Sequence, residues 1–167
     1  MRKLISLLSI LIISISVLGQ NIPKGANVIV LETNNLTVQD AVKKTVARLI
    51  DGGITIANAD RELGFINTNP YTHRNVTNQV TISFQESDKG ILAKLSGGFI
   101  TGIDITIWGV TARNKQETIE YIGQSGSYYM QAWEGLERVA QMIDHSTASF
   151  LTPIKSKNIK FDDPLYL

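Results

Sequence analysis

The chain has 167 residues, with 16 basic residues, 15 acidic residues, two histidines and no cysteine. Without cysteine there is no disulfide, no thiol nucleophile, no cysteine-ligated zinc and no lipid attached through a cysteine. The balanced charge lacks the basic excess that is typical of proteins that bind nucleic acid.

The first 19 residues have the pattern of a secretory signal sequence. A basic Met1-Arg2-Lys3 precedes an apolar run over residues 4–18, and Val17-Leu18-Gly19 offers small residues where a signal peptidase cleaves. Because a bilayer-spanning helix needs about 20 residues, a cleaved signal is favoured over the alternative of an uncleaved N-terminal anchor. The predicted product is an exported protein, periplasmic or extracellular and without a lipid anchor or a transmembrane span.

Residues 20–150 are predicted to form a single α+β domain, followed by a C-terminal tail over residues 151–167. The apolar run 26–31 predicts a first strand, and its apolar residues on both faces favour an inner position in the sheet. Thr37 is the predicted N-cap of a first helix that ends at Gly52-Gly53. Helical spacing gives this helix one apolar stripe, which comprises Val38, Ala41, Val42, Val46, Leu49 and Ile50.

Strands are predicted over residues 54–59, 64–69 and 76–85, with a loop over 71–75. The strand over 76–85 alternates regularly between an apolar set with one asparagine, namely Val76, Asn78, Val80, Ile82 and Phe84, and a hydroxyl and amide set, namely Thr77, Gln79, Thr81, Ser83 and Gln85. This alternation indicates a sheet with one buried face and one wetter face. A polar turn over 86–90 should lead into a strand over 91–96 that ends at Gly97-Gly98, and a last strand is predicted over 102–112.

A loop over 113–127 and a second helix complete the predicted domain. Ser127 is the expected N-cap of a helix that extends from residue 128 to about residue 145, with a continuation to Phe150 as the alternative. Its apolar stripe comprises Trp133, Leu136, Val139, Ala140 and Ile143. The order β-α-β-β-β-β-β-α predicts an α+β fold in which a single antiparallel curved sheet of about five to six strands carries both helices on one face.

The sequence has no motif for catalysis, for a cofactor or for a metal ion, and we predict that the protein is not an enzyme. His73 is interpreted as an exposed loop residue, and His145 as a residue at the end of the second helix, where the helix dipole favours it. Glu134 and Glu137 have the spacing of an acid–base or metal pair, but a solvated helix face is the favoured interpretation. Catalysis would require one of the histidines to meet a buried carboxylate in a cleft.

The wetter sheet face is the predicted binding surface. Its candidate contact residues are Trp108, Thr106, Thr81 and Gln79, with Trp108 as the anchor for a partner or a glycan. A plain solvated face that tolerates a tryptophan accounts for the same pattern and is favoured. A second candidate site is a cavity for an apolar small molecule between helices and sheet, lined by Val42, Val46, Leu49, Val80, Ile82 and Phe84.

The layout resembles small secreted domains of unknown function from Bacteroidetes-type bacteria. The resemblance is carried by the signal sequence, the Thr-led helix ending in Gly-Gly and the pattern D-x-x-x-G-F-I at Asp60 and Gly64-Phe65-Ile66, where the chain is expected to double back. The layout over residues 26–112 is also similar to the helix-grip or TATA-binding-protein-like units in the C component lipoprotein of the outer-membrane β-barrel assembly machine. This chain lacks the lipid-carrying cysteine of that lipoprotein.

The resemblance implies an envelope-located domain without catalytic residues that binds protein or a small ligand. We therefore expect an exported, non-enzymatic binding or assembly module of the cell envelope, whose partner is an envelope protein. The alternative function is that of a carrier for an apolar small molecule. Neither function involves nucleic acid.

Overall fold

A curved antiparallel sheet with two helices against one face makes up the fold. The computed structural model of the chain describes residues 21–34, 37–88, 90–102, 105–107, 110–112 and 115–153. Within these ranges the elements are, in chain order, β1 (Val28–Thr33), α1 (Val38–Asp51), β2 (Ile56–Asp60), β3 (Phe65–Thr68), β4 (Tyr71–His73), β5 (Val76–Ser87), β6 (Gly90–Ile100), β7 (Ile105–Ile107), β8 (Val110–Ala112), β9 (Glu117–Thr118), α2 (Tyr128–Gln141) and β10 (His145–Leu151). The predicted signal sequence and residues 154–167 of the predicted tail lie outside the described residues.

The main sheet has the strand order β10-β1-β6-β5-β3-β2, with β4 paired to β5 and β9 paired to β6. At its centre is the long hairpin of β5 and β6, which confirms the predicted polar turn. β1 lies between β6 and β10, so the predicted inner strand is confirmed. The predicted α+β class and curved sheet are also confirmed, but the main sheet has eight strands rather than five or six.

The core lies between the inner face of the sheet and the two helices. The apolar residues predicted for the inner face of β5 are at most 4 % exposed. The predicted stripe of the second helix is at most 6 % exposed, although its last member, Ile143, lies just after the end of α2. In α1, Ala41, Val42 and Leu49 are buried as predicted. Ile50 is 57 % exposed, so its assignment to the stripe was wrong: successive helical residues are rotated by about 100°, and Leu49 already faces the core.

Local hydrogen bonds explain where both helices begin. Thr37 Oγ1 accepts a hydrogen bond from the backbone N–H of Asp40 at 3.1 Å, and Ser127 Oγ accepts one from the N–H of Met130 at 3.2 Å. Both predicted N-caps are therefore confirmed, since a cap satisfies a first-turn N–H that has no partner within the helix. At the other end of α1, Gly53 has φ +81°, a left-handed conformation that glycine adopts without strain.

The predicted turn at the D-x-x-x-G-F-I pattern connects β2 to β3. Asp60 Oδ1 accepts hydrogen bonds from the N–H groups of Glu62 at 2.8 Å and Leu63 at 2.9 Å. Gly64 has φ +68°, and its carbonyl accepts a hydrogen bond from the N–H of Phe84 at 2.7 Å. The chain doubles back here as predicted, and the turn is attached to β5.

Polar contacts hold α2 on the sheet. Asn78 is fully buried on the apolar face of β5, and its Nδ2 donates to the carbonyl of Ala132 at 2.9 Å. Tyr71 Oη donates to the carbonyl of Gly135 at 2.9 Å, and burial raises the pKa of Tyr71 to about 12. A Cβ at Gly135 would collide with the Asn78 amide. The glycine therefore allows α2 to approach the sheet closely enough for both bonds.

Several predicted element boundaries were wrong. β6 continues through Gly97-Gly98 to Ile100. The glycines are accommodated within the strand because neighbouring residues, Ile119 at Gly97 and Gln116 at Gly98, occupy the space of the missing side chains. The predicted strand over 102–112 is two strands, β7 and β8, which pair with each other and form a separate two-stranded sheet.

The second helix is shorter than predicted, and its C-terminal neighbour is a strand. α2 ends at Gln141, and His145 begins β10, which pairs with β1. Ala148 and Phe150, two residues apart, pack against the core, so strand periodicity prevails there over helical continuation. The predicted loops over 71–75 and 113–127 contain the short strands β4 and β9, which pair with β5 and β6. In the described part of the chain, neither helix has the length and apolarity needed to span a membrane.

Candidate functional site

The outer, wetter face of the main sheet contains a groove with a volume of about 750 Å³. Residues on or beside five strands (β1, β3, β5, β6 and β9) line it. Most of the lining side chains are amides or hydroxyls, namely Asn27, Asn67, Gln79, Thr81, Ser96, Gln116 and Thr118; the remaining lining residues are Val28, Gly97, Gly98 and Glu117. The groove is therefore a polar site of the size that small-ligand pockets have in general, about 300–1,000 Å³.

Two of the four predicted contact residues lie in this groove. Gln79 and Thr81 are exposed on the outer face of β5, opposite Gly98 and Ser96 of β6. Thr81 Oγ1 donates to Asn67 Oδ1 at 2.7 Å, which links β5 to β3 across the groove. The period-two pattern of β5 thus predicted two residues that line the groove, and their role in binding stays a prediction.

The other two predicted contact residues belong to the segment that includes the β7–β8 hairpin. Thr106 lies in β7, outside the main sheet, and Trp108 lies outside the described residues. The segment leaves the main sheet after Ile100 and rejoins it at Glu117. Ile100 and Gln116 both line a second groove of about 90 Å³, which shares Gln79, Gly98 and Gln116 with the first. Both ends of the segment are thus located at the site, and a role for Trp108 and Thr106 stays a prediction.

Gln116 is the lining residue that most clearly depends on a neighbouring glycine. A Cβ at Gly98 would lie 2.5 Å from Gln116 Nε2, so the amide lies directly over the glycine. Gln116 consequently contributes to both grooves. Sequence reasoning missed this residue because it assigned 113–127 to a loop. The sequence feature that points to this contact is Gly97-Gly98 inside an alternating strand, because glycine in a strand indicates the close approach of another segment.

Glu117 is the one charged residue among the described residues that line the larger groove. Its Oε2 accepts a hydrogen bond from Tyr129 Oη of α2. This hydrogen bond is the main cause of a raised pKa of Tyr129, whose ring also contacts Phe99 edge-on with the ring centroids 5.1 Å apart. The hydrogen bond from Tyr129 thus connects the carboxylate of Glu117 to α2.

His73 is not the exposed loop residue that was predicted. It lies in β4 with its side chain 20 % exposed, and its Nε2 is 3.8 Å from Glu134 Oε2, beyond hydrogen-bond distance. Glu134 is instead 2.9 Å from Arg74 Nη1 and its side chain is 33 % exposed, so the helix face that was predicted to be solvated is partly covered at this position. Among the described residues, no group of three or more His, Cys, Asp or Glu residues is arranged to hold a metal ion.

His145 begins a strand rather than ending a helix. Its Nδ1 lies 2.7 Å from the carbonyl oxygen of Ile143, which places the ring against the connection between α2 and β10. The described residues that line the grooves do not include His145 or His73.

Glu137, like Glu134, is partly buried rather than solvated. Its Oε1 accepts a hydrogen bond from Trp133 Nε1 at 2.9 Å. Burial is the main cause of the raised pKa of Glu137, and the Trp133 hydrogen bond opposes it.

Replacing Glu137 by glutamine should therefore stabilise the protein at neutral pH relative to wild type. A carboxyl whose pKa is raised in the folded state contributes stability below its ordinary pKa of 4.5 and loses that contribution as the pH rises through the folded value. Glutamine keeps an acceptor for Trp133 and does not ionise. Urea unfolding at several pH values between about 4 and 7 should show the advantage of Glu137→Gln growing with pH. Glu62→Gln, at an exposed turn, is the control, and a pH-independent difference for Glu137→Gln would contradict the assignment.

The residues predicted to line an apolar cavity belong to the packed core. Val42, Leu49, Val80 and Ile82 are fully buried, and Val46 packs against the same cluster. A further groove of about 470 Å³ lies elsewhere, between Lys24-Gly25, Glu120 and Thr152-Pro153. The apolar carrier stays a prediction to which these grooves add no support.

Neither a protein-family model nor a curated protein matches this chain. The resemblance to secreted domains and to the barrel-assembly lipoprotein accordingly stays a prediction. The polar groove is the feature of the described residues that best supports a functional hypothesis.

Proposed function

We propose that this protein is an exported, non-enzymatic binding module of the cell envelope, and that it holds its partner in the groove on the polar sheet face. The observation that carries the proposal is the convergence on one groove of amide and hydroxyl side chains from segments between residues 27 and 118. The pattern of residues 1–19 supports export, because it combines a basic start, an apolar run and a small-residue cleavage site.

The sheet supplies a rigid support for this surface. Gln79 and Thr81 project from the centre of the β5–β6 hairpin, where pairing extends from Thr77 opposite Ile100 to Ser87 opposite Gly90. Side chains on paired strands are more precisely positioned than side chains on loops, which lowers the entropic cost of binding. One carboxylate and no histidine occur among the described lining residues, which favours binding over acid–base catalysis, since that chemistry needs a positioned proton donor and acceptor.

The proposal can be tested with the tagged full-length chain, expressed in its own host. Mass spectrometry of the purified protein should show an N-terminus at Gln20, and fractionation should place the protein in the envelope or the medium. An intact N-terminus in the cytoplasmic fraction would overturn the exported location.

The role of the groove is tested by cross-linking and co-purification with two matched glutamine variants. Gln79 and Gln85 are both exposed on the outer face of β5, but Gln79 lines the groove whereas Gln85 accepts a hydrogen bond from Lys94 outside it. Recovery of a partner should fall about tenfold, a loss of about 1.4 kcal/mol, when Gln79→Ala is combined with Thr81→Ala. Gln85→Ala should retain the partner. Equal recovery with all variants would overturn the groove as the site, and Trp108→Ala tests the predicted anchor in the same assay.

A further inference from the structure

We infer that the ligand of the groove is a neutral oligosaccharide. This inference rests on the proposed binding function and specifies the class of its ligand. It follows from the charge of the groove, from its hydrogen-bonding groups, and from its position on the face of the sheet.

The charge of the groove favours a neutral ligand. The described lining residues include no lysine or arginine, and their one carboxylate, Glu117, accepts a hydrogen bond from Tyr129. Phosphate, nucleic acid and sulfated sugars are generally recognised through arginine and lysine, so the groove lacks the groups that an anion requires. A single carboxylate that is already hydrogen-bonded is also a poor site for a cationic ligand.

The hydrogen-bonding groups match those of a sugar. Four lining amides (Asn27, Asn67, Gln79 and Gln116) each present donors and an acceptor, and three lining hydroxyls (Thr81, Ser96 and Thr118) can both donate and accept. The hydroxyl groups of a sugar also donate and accept. The hydrogen bond from Thr81 Oγ1 to Asn67 Oδ1 does not use the Nδ2 donors of Asn67 or the lone pairs of Thr81. These groups can therefore hydrogen-bond to the hydroxyl groups of a ligand.

The position of the groove argues against a peptide that binds by strand addition. Strand addition needs an open sheet edge, whereas Thr81 is opposite Ser96, and Gly98 is paired on both sides, with Gln79 and with Thr118. The backbone across the groove is therefore already engaged in the sheet, and recognition must use side chains.

Gln116 is the residue through which the inference can be tested most sharply. Its amide lies over Gly98 and contributes to both grooves. Gln116→Ala removes the amide. Gly98→Ala displaces it instead, because the added Cβ meets only the Gln116 side chain among its nearest neighbours and that side chain is flexible. Two chemically different variants should therefore reduce the affinity for the same ligand.

The experiment is calorimetric titration of the protein, purified from its host, with tetrasaccharides of glucose, mannose and N-acetylglucosamine. At least one of them should bind saturably, with affinity reduced about tenfold by Gln116→Ala and by Gly98→Ala and unchanged by Gln85→Ala. Thermal unfolding of each variant verifies that it is folded. Absence of binding by all three sugars, or affinity that is equal in all variants, would overturn the inference.

Two further probes separate this inference from the proposed function. A heparin tetrasaccharide represents anionic sugars, and a neutral heptapeptide of glycine, serine and asparagine represents peptides. If either probe binds in a Gln116-dependent manner and the neutral sugars do not bind, the inference of a neutral oligosaccharide is overturned. The groove would then still be a binding site. If no probe binds, and the Gln79/Thr81 variant recovers as much partner as wild type, both the oligosaccharide inference and the proposed binding function of the groove are overturned.

Discussion

Truncation of Trp133 to alanine is expected to lower the free energy of unfolding by about 3–5 kcal/mol. Trp133 is fully buried in α2. Its ring contacts Tyr121 edge-on at 5.6 Å and Phe150 of β10 at 5.9 Å between centroids, and its Nε1 donates to Glu137. The residue thus joins α2, the segment before it and the last strand. Since small domains are stable by about 5–15 kcal/mol, this loss removes a large fraction of the total stability of the fold.

Urea unfolding followed by far-ultraviolet circular dichroism measures this loss. Trp133→Phe keeps an aromatic ring and should lose less than half as much as Trp133→Ala. Tyr128→Ala, at a position of the same helix that is 41 % exposed, should lie within about 0.5 kcal/mol of wild type. A Trp133→Ala variant as stable as the Tyr128→Ala control would show that Trp133 does not hold these three segments together.

Substitution of Gly97 by alanine should cost about 3 kcal/mol, although alanine adds a single methyl group. The new Cβ would collide with the carbonyl oxygen of Gln79 and would lie 3.2 Å from both Val80 Cα and Ile119 Cδ1. The two β5 atoms are backbone atoms at the centre of the β5–β6 hairpin, so they can move only by disturbing the sheet. Overpacking of this kind cannot be relieved by rotation of a side chain.

Two other glycines supply the controls for Gly97→Ala. Gly98→Ala, one position further along β6, meets only the flexible end of Gln116 and should cost less than about 1 kcal/mol. Gly53→Ala has nothing within 4 Å of the new Cβ but retains φ +81°, so it measures backbone strain alone, about 1–2 kcal/mol. Unfolding midpoints of the three variants compare close packing with conformational strain. Equal losses at Gly97 and Gly98 would refute the backbone collision.

The elements that could be predicted from sequence are those fixed by neighbours in the chain. The caps at Thr37 and Ser127 depend on residues within one helical turn, and the two faces of β5 follow from strict alternation. β10 was missed because its identity as a strand depends on pairing with β1, for example Ala148 opposite Leu31. The spacing of apolar residues within a segment contains no information about which distant strand will pair with it.

The same distinction applies to the candidate site. Gln79 and Thr81 could be identified because period-two alternation places them on the wetter face. Gln116 could not, since its position depends on the pairing of Glu117 with Phe99 and on the missing side chain of Gly98. Local pattern thus identifies the surface, whereas tertiary pairing determines which residues complete the groove.

The position of β1 between β6 and β10 has a consequence for the order of folding. Leu31 is opposite Ala93 on one side and Ala148 on the other, so the first strand obtains both neighbours only through closure of long loops, which is entropically costly and slow. A nascent chain that has emerged as far as α2 still exposes one hydrogen-bonding edge of β1. Because Val28 pairs with Leu151 and Thr33 with His145, β1 keeps one unpaired edge until the residues of β10 have been synthesised, and that edge is open to pairing with other strands until then.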